Sequence, residues 1–316
     1  MCTAVQFTAK DHYFGRNLDL EYHYEENIVI TPRRFPFHFR RACSWSDHAA
    51  MIGVATIADG YPLYYDATNE HGVSMAGLHF PGNAAYMPYT KEADNIAPFE
   101  LIPWVLSQCR HMDDVRRLMK RTSLLDEPFN NDFPQSPLHW MISCKSESIV
   151  VESMADGLHV YENPIGVLTN NPPFDMQLFA YKNRRALGLL PPGQRGTHMN
   201  GKETLGLPGD LTSPSRFARA AFMRQRAQCG ATEAESVSQF FHILGSVAMP
   251  RGSVMVHGKP EITVYSSCCN ADRGVYYYTT YDNSRITGVN MHREDLDSDH
   301  LITYPMMTKA EIFMQN

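Results

Sequence analysis

Met1-Cys2-Thr3-Ala4-Val5-Gln6-Phe7-Thr8-Ala9-Lys10-Asp11-His12-Tyr13-Phe14-Gly15-Arg16-Asn17-Leu18-Asp19 is the stretch on which the reading of this chain turns. Cys2 opens a run to Ala9 in which apolar and polar residues alternate, the period of a half-buried strand. Lys10-Asp11-His12 reads as a turn, and residues 13–17 return as the partner strand. The hairpin carries Arg16 and Asp19 back to the N-terminus. With Met1 cut away, Cys2 presents a thiol and a free α-amine on one residue. Their reference pKa values, about 8.5 for the thiol and about 7.7–8.0 for the amine, are matched for proton exchange near neutrality. Such a nucleophile needs only a base held beside it. A lone cysteine is most often just a small buried residue. Here a thiol, an amine, a guanidinium and a carboxylate can meet at one point.

The rest of the composition narrows the function classes. With 316 residues, 43% of them apolar and 20% charged, the chain has the make-up of an ordinary globular protein with a sizeable core. One domain spanning 1–316 is expected. A net charge of -6 and the lack of any Lys/Arg block argue against a nucleic-acid partner. No apolar run approaches the roughly 18 residues of a membrane-spanning helix. The N-terminus has no basic leader, so a cytoplasmic protein is expected. The seven cysteines, at positions 2, 43, 109, 144, 229, 268 and 269, have no Cys-x-x-Cys spacing. A disulfide framework and a zinc site are both disfavoured, and no metal or cofactor is expected.

Strand-like runs cover 28–31, 51–56, 63–68 and 73–78, with Asn69-Glu70-His71-Gly72 as a turn between the last two. Helices are predicted over 98–106, with proline near the start, and over 112–119, with acids early and bases late. Strands resume at 138–143, 148–152, 158–161 and 167–169. Residues 187–206 read as a long surface loop. Helices follow at 214–228 and 232–246, and strands at 253–256, 262–267, 275–281 and 286–289. This order predicts an α+β fold with largely antiparallel sheets.

Three other polar constellations stand out. In Leu168-Thr169-Asn170-Asn171-Pro172-Pro173 a strand runs into prolines that hold the preceding residue extended. An amide fixed there is a good oxyanion donor, or simply a loop former. In Ser213-Pro214-Ser215-Arg216-Phe217, Arg216 sits in the first helical turn against the dipole, which points to some other task or to a solvated surface cation. A backbone N–H near His79, before Phe80-Pro81-Gly82, could face a substrate oxygen, although a plain hairpin explains the stretch as well. His139 and His242 read as packed structural histidines.

Together with Tyr265-Ser266-Ser267-Cys268-Cys269-Asn270 and Tyr276-Tyr277-Tyr278-Thr279-Thr280-Tyr281-Asp282-Asn283-Ser284, these motifs resemble the choloylglycine hydrolase family, the bile salt hydrolases and penicillin V acylases. The resemblance runs through nearly the whole chain and is nearer the bile salt side at 171–175 and 216–222. It implies a four-layer αββα N-terminal-nucleophile amidohydrolase, commonly a homotetramer, that cleaves glycine- and taurine-conjugated bile salts without a cofactor. Cys2 would be the nucleophile, Arg16 would sit beside the thiolate, and Asp19 would orient the α-amine. Asn170 and the N–H of His79 would receive the oxyanion, and Arg216 would complete the polar ring. The family commonly has Asn or Tyr where this chain has His79, and the run before Leu205 also departs from the pattern. Leu18, Leu20, Tyr22, Phe80 and the loop near Met141 are candidates to line the substrate trough. Arg16 and Arg216 are also expected to meet the anionic leaving group. Two other classes remain open on sequence: a steroid or lipid carrier that does not need Cys2, and a thiol redox protein, disfavoured because no resolving cysteine lies near Cys2.

Overall fold

The N-terminal hairpin forms as the alternation predicts. Strands β1 (Cys2–Thr8) and β2 (His12–Leu20) pair antiparallel from Cys2↔Leu18 to Thr8↔His12. A computed structural model describes residues 1–42, 44–189 and 200–316. Among them are β3 (Asn27–Thr31), β4 (Met51–Ala58), β5 (Tyr61–Asn69), β6 (Val73–His79), β7 (Leu138–Cys144), β8 (Glu147–Met154), β9 (Gly157–Glu162) and β10 (Val167–Leu168). The C-terminal part adds β11 (Ile262–Asn270), β12 (Val275–Thr280), β13 (Thr287–Asn290) and β14 (Ile302–Pro305). The helices are α1 (Leu101–Gln108), α2 (Met112–Met119), α3 (Phe174–Ala186), α4 (Ser213–Arg226) and α5 (Glu233–Gly245).

Two antiparallel sheets dominate. One has six strands in the order β10-β1-β2-β11-β12-β13, and the other eight in the order β9-β8-β7-β6-β5-β4-β3-β14. Alternation along single strands shows how they stack. In β6, Ala76 and Leu78 join the core that holds β1 and β2, whereas Val73 and Met75 join a second core with α1 and α2. β7 and β8 divide in the same way: Met141 and Val150 face the first core, Trp140, Ile142, Ile149 and Val151 the second. The eight-stranded sheet is thus buried on both faces, with α1 and α2 outside it. α4 and α5 cover the outer face of the six-stranded sheet. The layers run αββα.

Helix α3 is absent from the sequence-based reading, as is β14. The α1 segment begins with a 3-10 turn at Pro98–Glu100. Of the loop expected at 187–206, residues 190–199 lie outside the described residues. The remainder contains the last turn after α3 and a 3-10 turn at Lys202–Thr204.

His12, the first residue of β2, ties the two sheets together: its Nε2 lies 3.1 Å from Ser143 Oγ of β7. Burial, with Arg224 adding to it, lowers its pKa from 6.5 to about 3. Folded His12 therefore stays neutral where the unfolded residue binds a proton. Stability is full above pH 6.5 and falls as pH drops towards 3. At about 1.4 kcal/mol per unit, this site alone removes about 2 kcal/mol by pH 5. Urea unfolding at pH 7 and pH 5 should show a clearly smaller loss in His12→Gln than in the unaltered protein. Equal losses would assign the acid sensitivity elsewhere.

Candidate active site

Three strand ends and one helix start converge on Cys2. The residue heads β1, is 3% exposed, and lies beside β2 on one edge and β10 on the other. Arg16 leaves β2 two positions before Cys2's register partner Leu18, and its Nη2 donates to Cys2 Sγ at 2.6 Å. Gly15 lets β2 approach β11 this closely, since a Cβ there would overlap the Ser267 carbonyl.

The eight-stranded sheet opens to receive the guanidinium. β5 and β6 pair only from Asp66↔Ala76 to Thr68↔Ser74, and beyond Asp66 they part. Tyr65 also falls at a register irregularity against β4, an extra residue of the kind that re-aims backbone groups beside active sites. Arg16 Nη1 donates to the carbonyls of both Tyr65 and Gly77, which flank that gap. Burial opposes the charge on Arg16, but Cys2, Tyr265, Asp66 and Asp19 outweigh it and raise its pKa. Behind it, Asp66 accepts hydrogen bonds from Tyr265 Oη, Tyr276 Oη and Ser267 Oγ. Burial raises the Asp66 pKa, against the pull of Arg16 and these hydroxyls.

Asn170 and Arg216 close the other side. Asn170 Oδ1 accepts from the Cys2 N–H at 2.9 Å and from Arg216 Nη2 at 2.6 Å. Its Nδ2 directs one N–H to the His79 carbonyl at 2.7 Å and has a second N–H to offer. Ser213 Oγ, at the start of α4, accepts from the Asn170 backbone N–H. Arg216 Nη1 donates to the Cys2 carbonyl and to Thr3 Oγ1. The helix start turns this cation inward instead of into solvent.

His79 ends β6. One step beyond the last β6–β7 register pair, His79↔Leu138, the N–H of Phe80 donates to Pro137 O, so Phe80 points its N–H at β7's side. Its neighbour His79 must then point its own N–H and C=O to the opposite edge, where Asn170 meets the carbonyl. The imidazole itself is exposed.

Asp19 is fully buried, and Thr263 Oγ1 donates to its Oδ1 at 2.6 Å. Its Oδ2 has no hydrogen-bond partner among the described residues. Burial raises the Asp19 pKa, opposed by Arg216, the terminal ammonium, Thr263 and Arg16. Met1 is present in this structure, so Cys2 N is a peptide N–H standing where a free α-amine would be. The Met1 ammonium donates to Asp19 O at 2.8 Å and pairs with the buried Glu261. Burial lowers its pKa, against the charges of Cys2 and Asp19.

Sequence reasoning thus named Cys2, Arg16, Asp19, His79, Asn170 and Arg216, and all six meet in one cluster. It missed Thr3, Asp66, Ser213, Glu261 and Thr263. A carboxylate inside the strand pattern at 63–68 was the one local signal for Asp66. Two expectations need correction. Arg16 and Arg216 are both 0% exposed, and each guanidinium nitrogen already donates to a protein acceptor, so their charge is met first within the protein and neither presents an open face to a leaving-group anion in this structure. Leu18, Phe80 and Met141 are buried side chains with almost no surface to offer a ligand, whereas Leu20 is half-buried and Tyr22 exposed. The turn at Asn69 is a structural device: its Oδ1 accepts from His71 and Val73 N–H, and its Nδ2 donates to the carbonyls of Leu106 and Cys109. Among the described residues no group of three or more His, Cys, Asp or Glu side chains is arranged to hold a metal ion. No described helix is long and apolar enough to cross a membrane.

A family model described as linear amide C–N hydrolases, choloylglycine hydrolase family, matches residues 2–304. The bile salt hydrolase/transferase of Lactiplantibacillus plantarum is 48% identical over 324 residues, covering 100% of both chains. A crystal structure of a variant conjugated bile acid hydrolase from Clostridium perfringens superposes with a TM-score of 0.90 at 34% identity, covering 100% of each chain. The penicillin V acylase of Agrobacterium tumefaciens shares the fold, with a TM-score of 0.77 at 16% identity over 96% of this chain and 91% of its own. A buried cysteine at the head of a strand, ringed by two arginines, an aspartate and an asparagine between two stacked sheets, therefore sits in a chain that belongs to the choloylglycine hydrolase family of linear amide C–N hydrolases.

Proposed function

We propose that this amidase cleaves glycine- and taurine-conjugated bile salts, with Cys2, exposed as the N-terminal residue by loss of Met1, as both nucleophile and base. The observation that carries the mechanism is the 2.6 Å contact of Arg16 Nη2 with Cys2 Sγ at the head of β1. The substrate reading rests on the full-length likeness to bile salt hydrolases. In the first step the Cys2 thiolate adds to the amide carbonyl. The second N–H of Asn170 and the N–H of His79 receive the charge on oxygen. The α-ammonium then passes a proton to the departing nitrogen as the C–N bond breaks, leaving a thioester on Cys2. The same amine, now neutral, takes a proton from water as the water attacks the thioester, and the bile acid leaves with Cys2 restored. Asp19 Oδ2, buried and unpaired, is the acceptor that orients the amine. A free amine at Cys2 N would stand beside Asn170 Oδ1, which accepts the present peptide N–H at 2.9 Å, and an amine whose ordinary pKa is about 7.7–8.0 suits a general base near neutrality.

Neither the thiol nor its base distinguishes a bile salt from penicillin V, so the acyl pocket must. In this reading Leu20, at the end of β2, and Tyr22, just beyond it, contribute apolar surface to that pocket; the half-burial of Leu20 and the exposure of Tyr22 support it. Each Å² of apolar area removed from water is worth about 25 cal/mol, so a steroid nucleus gains several kcal/mol over a phenoxymethyl group where the trough is long enough. Glycocholate and taurocholate should therefore show much higher kcat/KM than penicillin V, assayed side by side on one preparation. Faster turnover of penicillin V would overturn the substrate class and leave the Cys2 chemistry in place. A cytoplasmic homotetramer completes the proposal, and sedimentation in the presence and absence of taurocholate tests the assembly.

A further inference from the structure

One pair of buried side chains outside the cysteine cluster grips the segment that carries Asn170 at both ends. His139 of β7 and Glu152 of β8 are register partners and have no exposed surface. Ring Nδ1 lies 2.9 Å from Glu152 Oε1, and ring Nε2 lies 2.9 Å from the Thr169 carbonyl. Both Glu152 oxygens accept the N–H of Phe174, each at 3.1 Å. Thr169 and Phe174 are the residues on either side of Asn170-Asn171-Pro172-Pro173. The ring is also stacked on Phe80, with centroids 4.3 Å apart and planes 4° from parallel. Phe80 follows His79, so the second element of the oxyanion site leans on the same imidazole.

The hydrogen inventory makes the pair more than packing. The Thr169 carbonyl can only accept, so Nε2 carries a hydrogen. Nδ1 faces a carboxylate oxygen, so a further proton lies between them, whichever partner holds it. Two polar side chains have thus been taken fully out of water, and all of their bonds end on the backbone around Asn170 or on each other. A packed apolar pair would fill this volume at no desolvation cost.

We propose that His139 and Glu152 are positioning residues that fix the Asn170 amide and the His79 N–H for the developing oxyanion. The proposal rests on the roles of Asn170 and His79 given above. Neither residue touches the reacting atoms, and they act through the backbone at Thr169, Phe174 and Phe80. A donor used in the transition state loses value when it is displaced by fractions of an ångström, while ground-state binding hardly changes.

His139→Phe keeps a ring on Phe80 and removes both ring hydrogen bonds. Per reactive Cys2, counted by alkylation, it should lower kcat about tenfold to a hundredfold with KM within about threefold. The substrate is whichever of taurocholate and penicillin V the unaltered protein hydrolyses. In an Asn170→Ala background the same substitution should change kcat by less than about threefold, because the ring hydrogen bonds it removes act on the missing Asn170 amide, while the ring stacked on Phe80 beside His79 is kept. Glu152→Gln can still accept from Phe174 and donate to Nδ1, so it should recover most of the kcat lost in Glu152→Leu. This pair decides the matter if His139→Phe does not fold. Equal kcat in Glu152→Leu and the unaltered protein, or an undiminished His139→Phe penalty beside Asn170→Ala, would overturn the proposal. An Asn170→Ala enzyme with full kcat would instead remove the oxyanion role on which it rests.

Discussion

Cys2→Ala should lower amide hydrolysis by at least about four orders of magnitude, the scale on which nucleophile deletions fall. The loss belongs to kcat, because no covalent intermediate can form. Binding of intact substrate should persist, since Cys2 is 3% exposed and contributes little contact surface. The fold should survive. Arg16 loses one acceptor but keeps the Tyr65 and Gly77 carbonyls, and an unmet buried hydrogen bond costs about 1–3 kcal/mol. Cys2→Ser should fare little better than Cys2→Ala, because an alcohol is far less acidic than a thiol. Turnover by Cys2→Ala above about a thousandth of the original rate would remove Cys2 from the chemistry.

Asn170→Ala should lose on the order of a hundredfold or more in kcat. One oxyanion donor is worth about 2.7–4 kcal/mol, and here its removal also leaves Arg216 Nη2 without an acceptor in a fully buried place. The loss should exceed that of a simple donor deletion, because Oδ1 also accepts from Cys2 N. Steady-state kinetics on one substrate separate the two effects. A fall in kcat at nearly constant KM fits a donor used in the transition state, whereas a rise in KM alone would make Asn170 a binding residue. Asn170→Asp keeps Oδ1 and replaces the amide donor by an acceptor, so it should not rescue kcat.

How far the chain could be read differs from element to element. The β1–β2 hairpin was legible because period-2 alternation, a turn and the returning Arg16 all lie within nineteen residues. Helix α3 was not. Its buried residues are Phe174, Gln177 and Tyr181, while Met176 and Phe179 lie 57% and 67% exposed, so the apolar period points the wrong way. The two prolines before it also read as loop. Arg216 looked misplaced against its helix dipole, and the reason lies in Cys2, Thr3 and Asn170, all distant in sequence. The carbonyls that hold Arg16 depend on the parting of β5 and β6 and on the irregularity at Tyr65, which no residue pattern announces. The trough residues were placed by motif position alone. Strand alternation sends Leu18 and Met141 into the core between the sheets instead.

The central claim is that one residue supplies both nucleophile and base, which requires a free Cys2 amine. Mass spectrometry of the N-terminal peptide, from enzyme quenched in acid during taurocholate turnover, tests it most directly. The peptide should begin at Cys2, lack Met1, and carry the bile acyl group as a thioester on Cys2 that hydroxylamine removes. Undiminished turnover by protein that retains Met1, or the acyl group on any other residue, would contradict it.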